Sequence, residues 1–262
     1  MKTSRKSLIL LGCFILFFCT ACTDKQPVSE NNNKEKIVKE KTEVEEQTEP
    51  KEETRKPEQS VEKNPEEVKP IQLNNTYETK YGDVNAVTYP KFYFDYPNNW
   101  QISAEEVSTT NERVVLSNER GATVTFSHIG GVAEGQLGGG SAVTMRRVDI
   151  SKASDSQFIP GYVQATDHSE LGKFMVAKLK VTGQLNMQTD SDFQNVDGAV
   201  AYAVIPESWV GTRDDVRGVY AGEFAFYYSG YISFIAESPS EQFTSDEERE
   251  IIEILSSFRN EY

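Results

Sequence analysis

Phe224-Ala225-Phe226-Tyr227-Tyr228-Ser229-Gly230-Tyr231-Ile232-Ser233-Phe234-Ile235 is the stretch on which the fold reading turns. Two apolar runs, Gly222 to Tyr228 and Tyr231 to Glu237, flank a Ser-Gly pair, a pattern that predicts a two-residue hairpin. In that register Tyr228 faces Tyr231, Phe226 faces Ser233 and Phe224 faces Ile235, with Tyr227 opposite Ile232 and Ala225 opposite Phe234. Both faces are apolar, so these strands belong in the middle of a sheet covered on both sides.

Downstream, the spacing changes from strand to helix over Ser245 to Phe258. Ile251, Ile254, Leu255 and Phe258 fall at i, i+3, i+4 and i+7, a stripe that must bury against a sheet. Thr244 with Glu247, or Ser245 with Glu248, offers a capping box. Asp246, Glu247 and Glu248 suit the positive end of the helix dipole.

Upstream, Phe92, Phe94 and Tyr96 alternate with Lys91, Tyr93 and Asp95 until Pro97-Asn98-Asn99 stops the strand. Val114 to Leu116 and Ala122 to Ser127 read as a hairpin. Val143 to Ile150, the pair Phe158-Ile159, Lys173 to Thr182 and Ala199 to Ile205 are further strand candidates, the last two paired across the loop Gln188 to Gly198. Strands followed by a terminal helix predict an α+β domain, an antiparallel β-sheet flanked by helices, over residues 75–262. Its 188 residues suffice for one core.

Phe-Tyr-Phe-Asp-Tyr-Pro-Asn-Asn-Trp at 92–100 resembles the opening strand of PsbP-like domains. The aromatic strand through Ile232-Ser233-Phe234-Ile235, then Phe243, then a helix ending Ile254-Leu255-Ser256-Ser257-Phe258, is similar to that family's close. The resemblance spans roughly Pro90 to Arg259 and rests on packing and turn residues. It implies an antiparallel sheet between helices and a binding or assembly role without enzymatic activity. No functional residue of the family maps onto this chain.

The first residues have a different character. Lys2, Arg5 and Lys6 precede an apolar run from Leu8 to Cys19, too short to span about 30 Å of hydrocarbon. Residues 1–21 therefore read as a secretory signal, and Thr20-Ala21-Cys22 as a lipidation box that makes Cys22 the acylated first residue. Leu10-Leu11-Gly12-Cys13 matches the pattern of bacterial lipoprotein boxes better but leaves only Ser7 to Leu11 as the apolar run. An ordinary cut after Ala21, without lipidation, is the third possibility. All three cysteines lie within the first 22 residues, so the folded part holds neither a disulfide nor a thiolate metal site. An exported, disulfide-free domain behind such a box resembles a Gram-positive lipoprotein.

Residues 22–74 form a charged tether. Residues 23–70 carry 14 acidic and 10 basic side chains, five prolines and no aromatic. Such a composition buries too little apolar surface to offset ordering its backbone, so the sequence predicts disorder there. Residues 71–262 then carry a net charge of −13. That charge disfavours anionic headgroups and nucleic acid, so membrane association falls to the acyl chains on Cys22. Two chains give stable anchoring where one is marginal. The expected address is the cell membrane, lipid-anchored, on the extracytoplasmic face.

Candidate sites are few. His128 and His168, the only histidines, exclude a three-histidine zinc centre and read as surface residues. Gly130, Gly131, Gly138, Gly139 and Gly140 make a glycine-rich loop that fits no phosphate-binding motif and is a candidate binding loop. Asp190-Ser191-Asp192 with Asn195, Asp197 and Gly198 suggests calcium. Asn195 and Ala201 nevertheless stand where an EF-hand requires Gly and Glu, which favours a polar loop. No cofactor, metal or catalytic residue is expected. The leading reading is a non-enzymatic module presented to an envelope protein. The alternative is a hydrolase of wall or exported polymers using Glu134 or Asp214 and Asp215.

Overall fold

The computed structural model describes residues 70–85, 88–136, 145–184 and 197–261. In chain order the elements are β1 (Asn75–Glu78), α1 (Tyr81–Val84), β2 (Phe92–Tyr96), β3 (Gln101–Val107), β4 (Asn111–Ser117) and β5 (Thr123–Ile129). They continue with β6 (Arg146–Asp155), β7 (Tyr162–Val163), β8 (Thr166–Asp167), β9 (Phe174–Gln184) and β10 (Val200–Pro206). The last are β11 (Gly211–Val216), β12 (Phe226–Tyr227), β13 (Tyr231–Glu237), α2 (Ser245–Ser256) and β14 (Arg259–Asn260).

One large antiparallel sheet runs in the order β11-β6-β9-β10-β13-β5-β4-β3, and a small sheet has the order β1-β2-β14. Phe94 on β2 lies 4.8 Å, ring to ring, from Phe234 on β13, and Phe92 lies 6.0 Å from Phe126 on β5. The small sheet therefore packs face to face on the large one. Among the described residues 46% are in strands and 13% in helices, and α1 is a single turn. The helix-flanked α+β expectation, including the layout implied by the PsbP-like resemblance, is corrected to a largely β-sandwich. The physical reason is that three short strands and one helix share the cover, where helices alone were expected.

Alternation along the central strands explains the two cores. Phe174 and Val176 on β9, and Val200, Tyr202 and Val204 on β10, join β2, α2 and Phe258 on one face. Met175, Ala177, Leu179 and Val181, with Ala201, Ala203 and Ile205, point to the other, where Val216, Val219 and Phe224 close over them. Leu179 thus lies on the face opposite Phe174 and Val176.

The terminal helix forms as its sequence dictates. The Thr244 hydroxyl accepts from the Glu247 amide while the Glu247 carboxylate accepts from the Thr244 amide, the full capping box. Its apolar stripe is fully buried, and each such side chain contributes about 1.5–3 kcal/mol. The helix ends at Ser256, two residues before the predicted limit. The Ser257 hydroxyl accepts from the Asp95 amide at 2.8 Å, and Arg259 meets the Asp95 carboxylate at 2.9 and 3.2 Å. These bonds turn the chain into β14, beside β2.

The hairpin at Ser229-Gly230 departs from the predicted register. Phe226 faces Ile232 and Tyr227 faces Tyr231, one residue out of the expected pairing, and only two residues of the first run are strand. Ser229 adopts φ 55° and Tyr228 leaves the ladder. β13 finds its long partner in β5 instead, pairing from Tyr231–Ile129 to Glu237–Thr123. Phe158-Ile159 is not a strand, although Phe158 is buried in the aromatic core. The hairpin of β4 with β5, and the pairing of β9 with β10, match expectation.

Candidate functional site

Where β5 ends and β13 begins, several turns converge on one end of the sandwich. The β12–β13 turn holds Ser229 in the left-handed region, and the β7–β8 hairpin holds Gln164 at φ 49° and Ala165 at φ 67°. None is Gly or Asn, and such residues each cost about 1–3 kcal/mol of strain, which surrounding structure must hold in place. The Ser229 hydroxyl lies 3.5 Å from Gln164 Oε1, so the two strained turns face each other. Beside them Tyr162 is 71% exposed and Ile159 64%, the two most exposed large apolar side chains among the described residues.

Tyr228 forms the floor of this tip. It is fully buried, its hydroxyl accepts from the Gly161 amide at 3.2 Å, and its carbonyl accepts from the Tyr89 hydroxyl at 2.6 Å. Asn260 donates to the carbonyl of Ile159 at 3.1 Å, which ties β14 to the exposed segment.

Both histidines lie under the tip, and neither is a surface residue. His168 is 7% exposed, packs 4.9 Å from the Tyr228 ring, and leaves Nε2 without a partner. Burial lowers its pKa, against the opposing pull of Glu134, Glu170 and Asp167. His128 on β5 is 1% exposed, stacked on Tyr89 at 4.5 Å and edge-on to Tyr81 at 4.1 Å. Neither of its ring nitrogens has a partner, and burial pushes its pKa down to about 3. The surface reading failed because the rings that cover His128 come from residues about 40 positions away in the chain.

Glu112 lies opposite His128 in the ladder and is fully buried. Its carboxylate accepts from the amides of Lys80 (2.9 Å) and Tyr81 (2.7 Å) and from the Tyr77 hydroxyl (2.9 Å). Burial still raises its pKa. This clasp holds α1 against β4 and seats Tyr81 over Gly130. A Cβ at Gly130 would overlap the Tyr81 hydroxyl, and one at Gly230 would sit 2.5 Å from His128 Nε2. Two glycines of the tip are thus needed for close approach.

The glycine-rich loop begins here. Gly130 and Gly131 are at the tip, while Gly138, Gly139 and Gly140 lie outside the described residues. The loop folds back onto the β12–β13 turn: the Gly135 amide donates to the Tyr231 hydroxyl at 2.6 Å, and the Tyr227 hydroxyl to the Val132 carbonyl at 3.3 Å. Glu134 belongs to this end. Asp214 and Asp215 do not; they lie on edge strand β11, paired with Arg147 and Arg213, each at 2.9 Å. Five strand spacings, roughly 24 Å along the sheet, separate β11 from β5.

Asp190, Ser191, Asp192 and Asn195 lie outside the described residues, as do Cys13 and Cys22. Among the described residues no group of three or more acidic, His or Cys side chains could hold a metal ion. No described helix is long and apolar enough to cross a membrane. Sequence reasoning missed Ile159, Tyr162 and Tyr228. Pro160-Gly161 in front of Tyr162 was the available signal, since it marks a turn tip. No family model, curated protein or solved structure matches the chain.

Proposed function

We propose that this protein is a lipid-anchored, extracytoplasmic binding module. Acylated Cys22 holds it to the membrane, residues 23–70 act as a leash, and the sandwich offers its tip to an envelope protein. The observation that carries the reading is the polarity of the domain. The chain enters β1 at Asn75, opposite Tyr96 and bonded to Asn98 at 3.0 Å. Phe92, at the other end of β2, packs 6.1 Å from Phe158 and from Tyr228, under the exposed Ile159 and Tyr162. The chain therefore enters at one end of the sandwich, and the strained, apolar tip lies at the other. Backbone strain and exposed apolar side chains both work against stability, which is the signature of a contact surface.

The test is site-specific crosslinking in cells making the full chain. A benzoylphenylalanine placed at Tyr162 should give a discrete higher-mass adduct, and one at Glu119, in the turn between β4 and β5, should give none. Adducts at both positions, or only at Glu119, would overturn the reading. Cys22→Ala should release the protein from the membrane fraction and abolish lipid labelling; unchanged labelling would move the acylation to Cys13.

A further inference from the structure

The chemistry of the tip says more about what it takes, on the premise that it is the binding surface. Tyr162 stands across the β7–β8 ladder from Asp167, whose carboxylate accepts from the Ser169 amide at 2.9 Å. Glu170 follows in the short 3-10 turn Ser169–Leu171, and Glu134 comes from the loop after β5. The charges that act on buried His168 are these three carboxylates. An exposed Tyr–Ile pair is therefore rimmed by negative charge, over a buried imidazole whose Nε2 has no partner.

Such a surface discriminates by charge. Acidic segments are repelled and anionic headgroups likewise, while a lysine- or arginine-bearing segment is attracted within about 8 Å at physiological salt. An apolar side chain on the same segment gains by covering Tyr162 and Ile159. We propose that the tip binds a cationic protein segment carrying a bulky apolar residue, the apolar residue on Ile159 and Tyr162 and the cations over Glu134, Asp167 and Glu170.

Three labelled 15-residue peptides test this against the full-length chain held in phosphatidylcholine nanodiscs, read by fluorescence anisotropy. One carries five Lys around a central Trp-Leu pair, one replaces the Lys with Glu, and one keeps the Lys but replaces Trp-Leu with Ser-Gly. The first should bind at least tenfold more tightly than either other, and its affinity should fall at least fivefold between 50 and 500 mM salt. Tyr162→Ala should reduce that affinity about tenfold, and Asp167→Asn with Glu170→Gln should flatten the salt dependence. Both sites are exposed, so unfolding midpoints should stay as in the parent. Equal binding of all three peptides, binding only to the nanodisc lipid, or no loss in Tyr162→Ala would overturn the inference. An adduct at Tyr162 in cells without peptide selectivity would leave the tip as the binding surface and reject the cationic partner. Absence of both would reject the tip itself.

Discussion

The two faces of the large sheet are built from different side chains. Under β2 and α2 the core is made of rings: Phe92, Phe94, Phe126, Phe158, Phe174, Phe226, Phe234 and Phe258, with centroids of neighbouring rings such as Phe158 and Phe174 only 4.7 Å apart. The opposite face is small and aliphatic, with Ala177, Ala199, Ala201 and Ala203 at its centre and Phe224 its one fully buried ring. The ring face is closed by elements far apart in the chain, β1, β2, α2 and β14. The alanine face is closed by Val219 and Phe224, with the partly buried Trp209 and Ala221, from the chain flanking edge strand β11. Large rings let a few short elements bury much area, whereas small side chains let a loop lie close to the sheet. One face is vulnerable to lost volume and the other to added volume.

Phe258→Ala is the strongest test of that difference. The ring touches Phe92, Phe126, Phe158 and Phe234, all within 6.0 Å between centroids. Truncation should cost about 3–5 kcal/mol out of a total near 5–15. A urea midpoint that hardly moves would mean the ring face does not depend on its terminal cover. On the other face Ala203→Leu should cost roughly 1–3 kcal/mol by overpacking. A neutral result there would show that the cover from Val219 to Phe224 can move away from the sheet.

Acid probes the ring face in a third way. The folded-state pKa of His128 lies near 3 and its ordinary value is 6.5, so the unfolded chain binds the extra proton between those limits. Its contribution to stability is intact above pH 6.5 and declines as pH falls towards 3. Between pH 7.5 and 5.5 the loss should be about 1.4 kcal/mol. His128→Phe keeps a ring between Tyr81 and Tyr89 and should remove that component of the pH profile. Parallel profiles for the parent and the variant would refute the buried, neutral state. Smallest of all, Glu253→Ala on the exposed side of α2 should change stability by no more than about 0.5 kcal/mol; a larger loss would place that side in contact with something.

The legible parts of this fold were those in which local spacing and local bonding coincide. Phe92 and Phe94 alternate because one face of β2 is buried, and Thr244 with Glu247 closes a cap within four residues. The capped helix was therefore readable, while its role as the only long described helix was not. β14 is two residues long and has no periodic signal, yet with β1 it makes the sheet that replaces the expected second helical layer. The hairpin register slipped because Ser229 accepts a positive φ that its residue type does not advertise. Of the candidate site, Gly130 and Gly131 stood out as glycines, but the reason for Gly130 is the hydroxyl of Tyr81. His128 and Glu112 meet only once β4 and β5 are side by side, and Gln164-Ala165 turns tightly without the Asn-Gly that announces such a turn.

The small sheet also sets how the domain responds to tension. β1 starts beside Tyr96 and finishes beside Tyr93, with four register pairs, and the tip lies beyond the Phe92 end. A pull between residue 70 and a partner held at Tyr162 therefore acts along β1. Hydrogen bonds between antiparallel strands stand perpendicular to that axis, so the load shears all of them together and does not peel them one by one. The grip of Glu112 on the amides of Lys80 and Tyr81 lies in series just beyond the strand and shares the strain. A load applied between residue 70 and Tyr162 would thus meet the mechanically strong direction of β1.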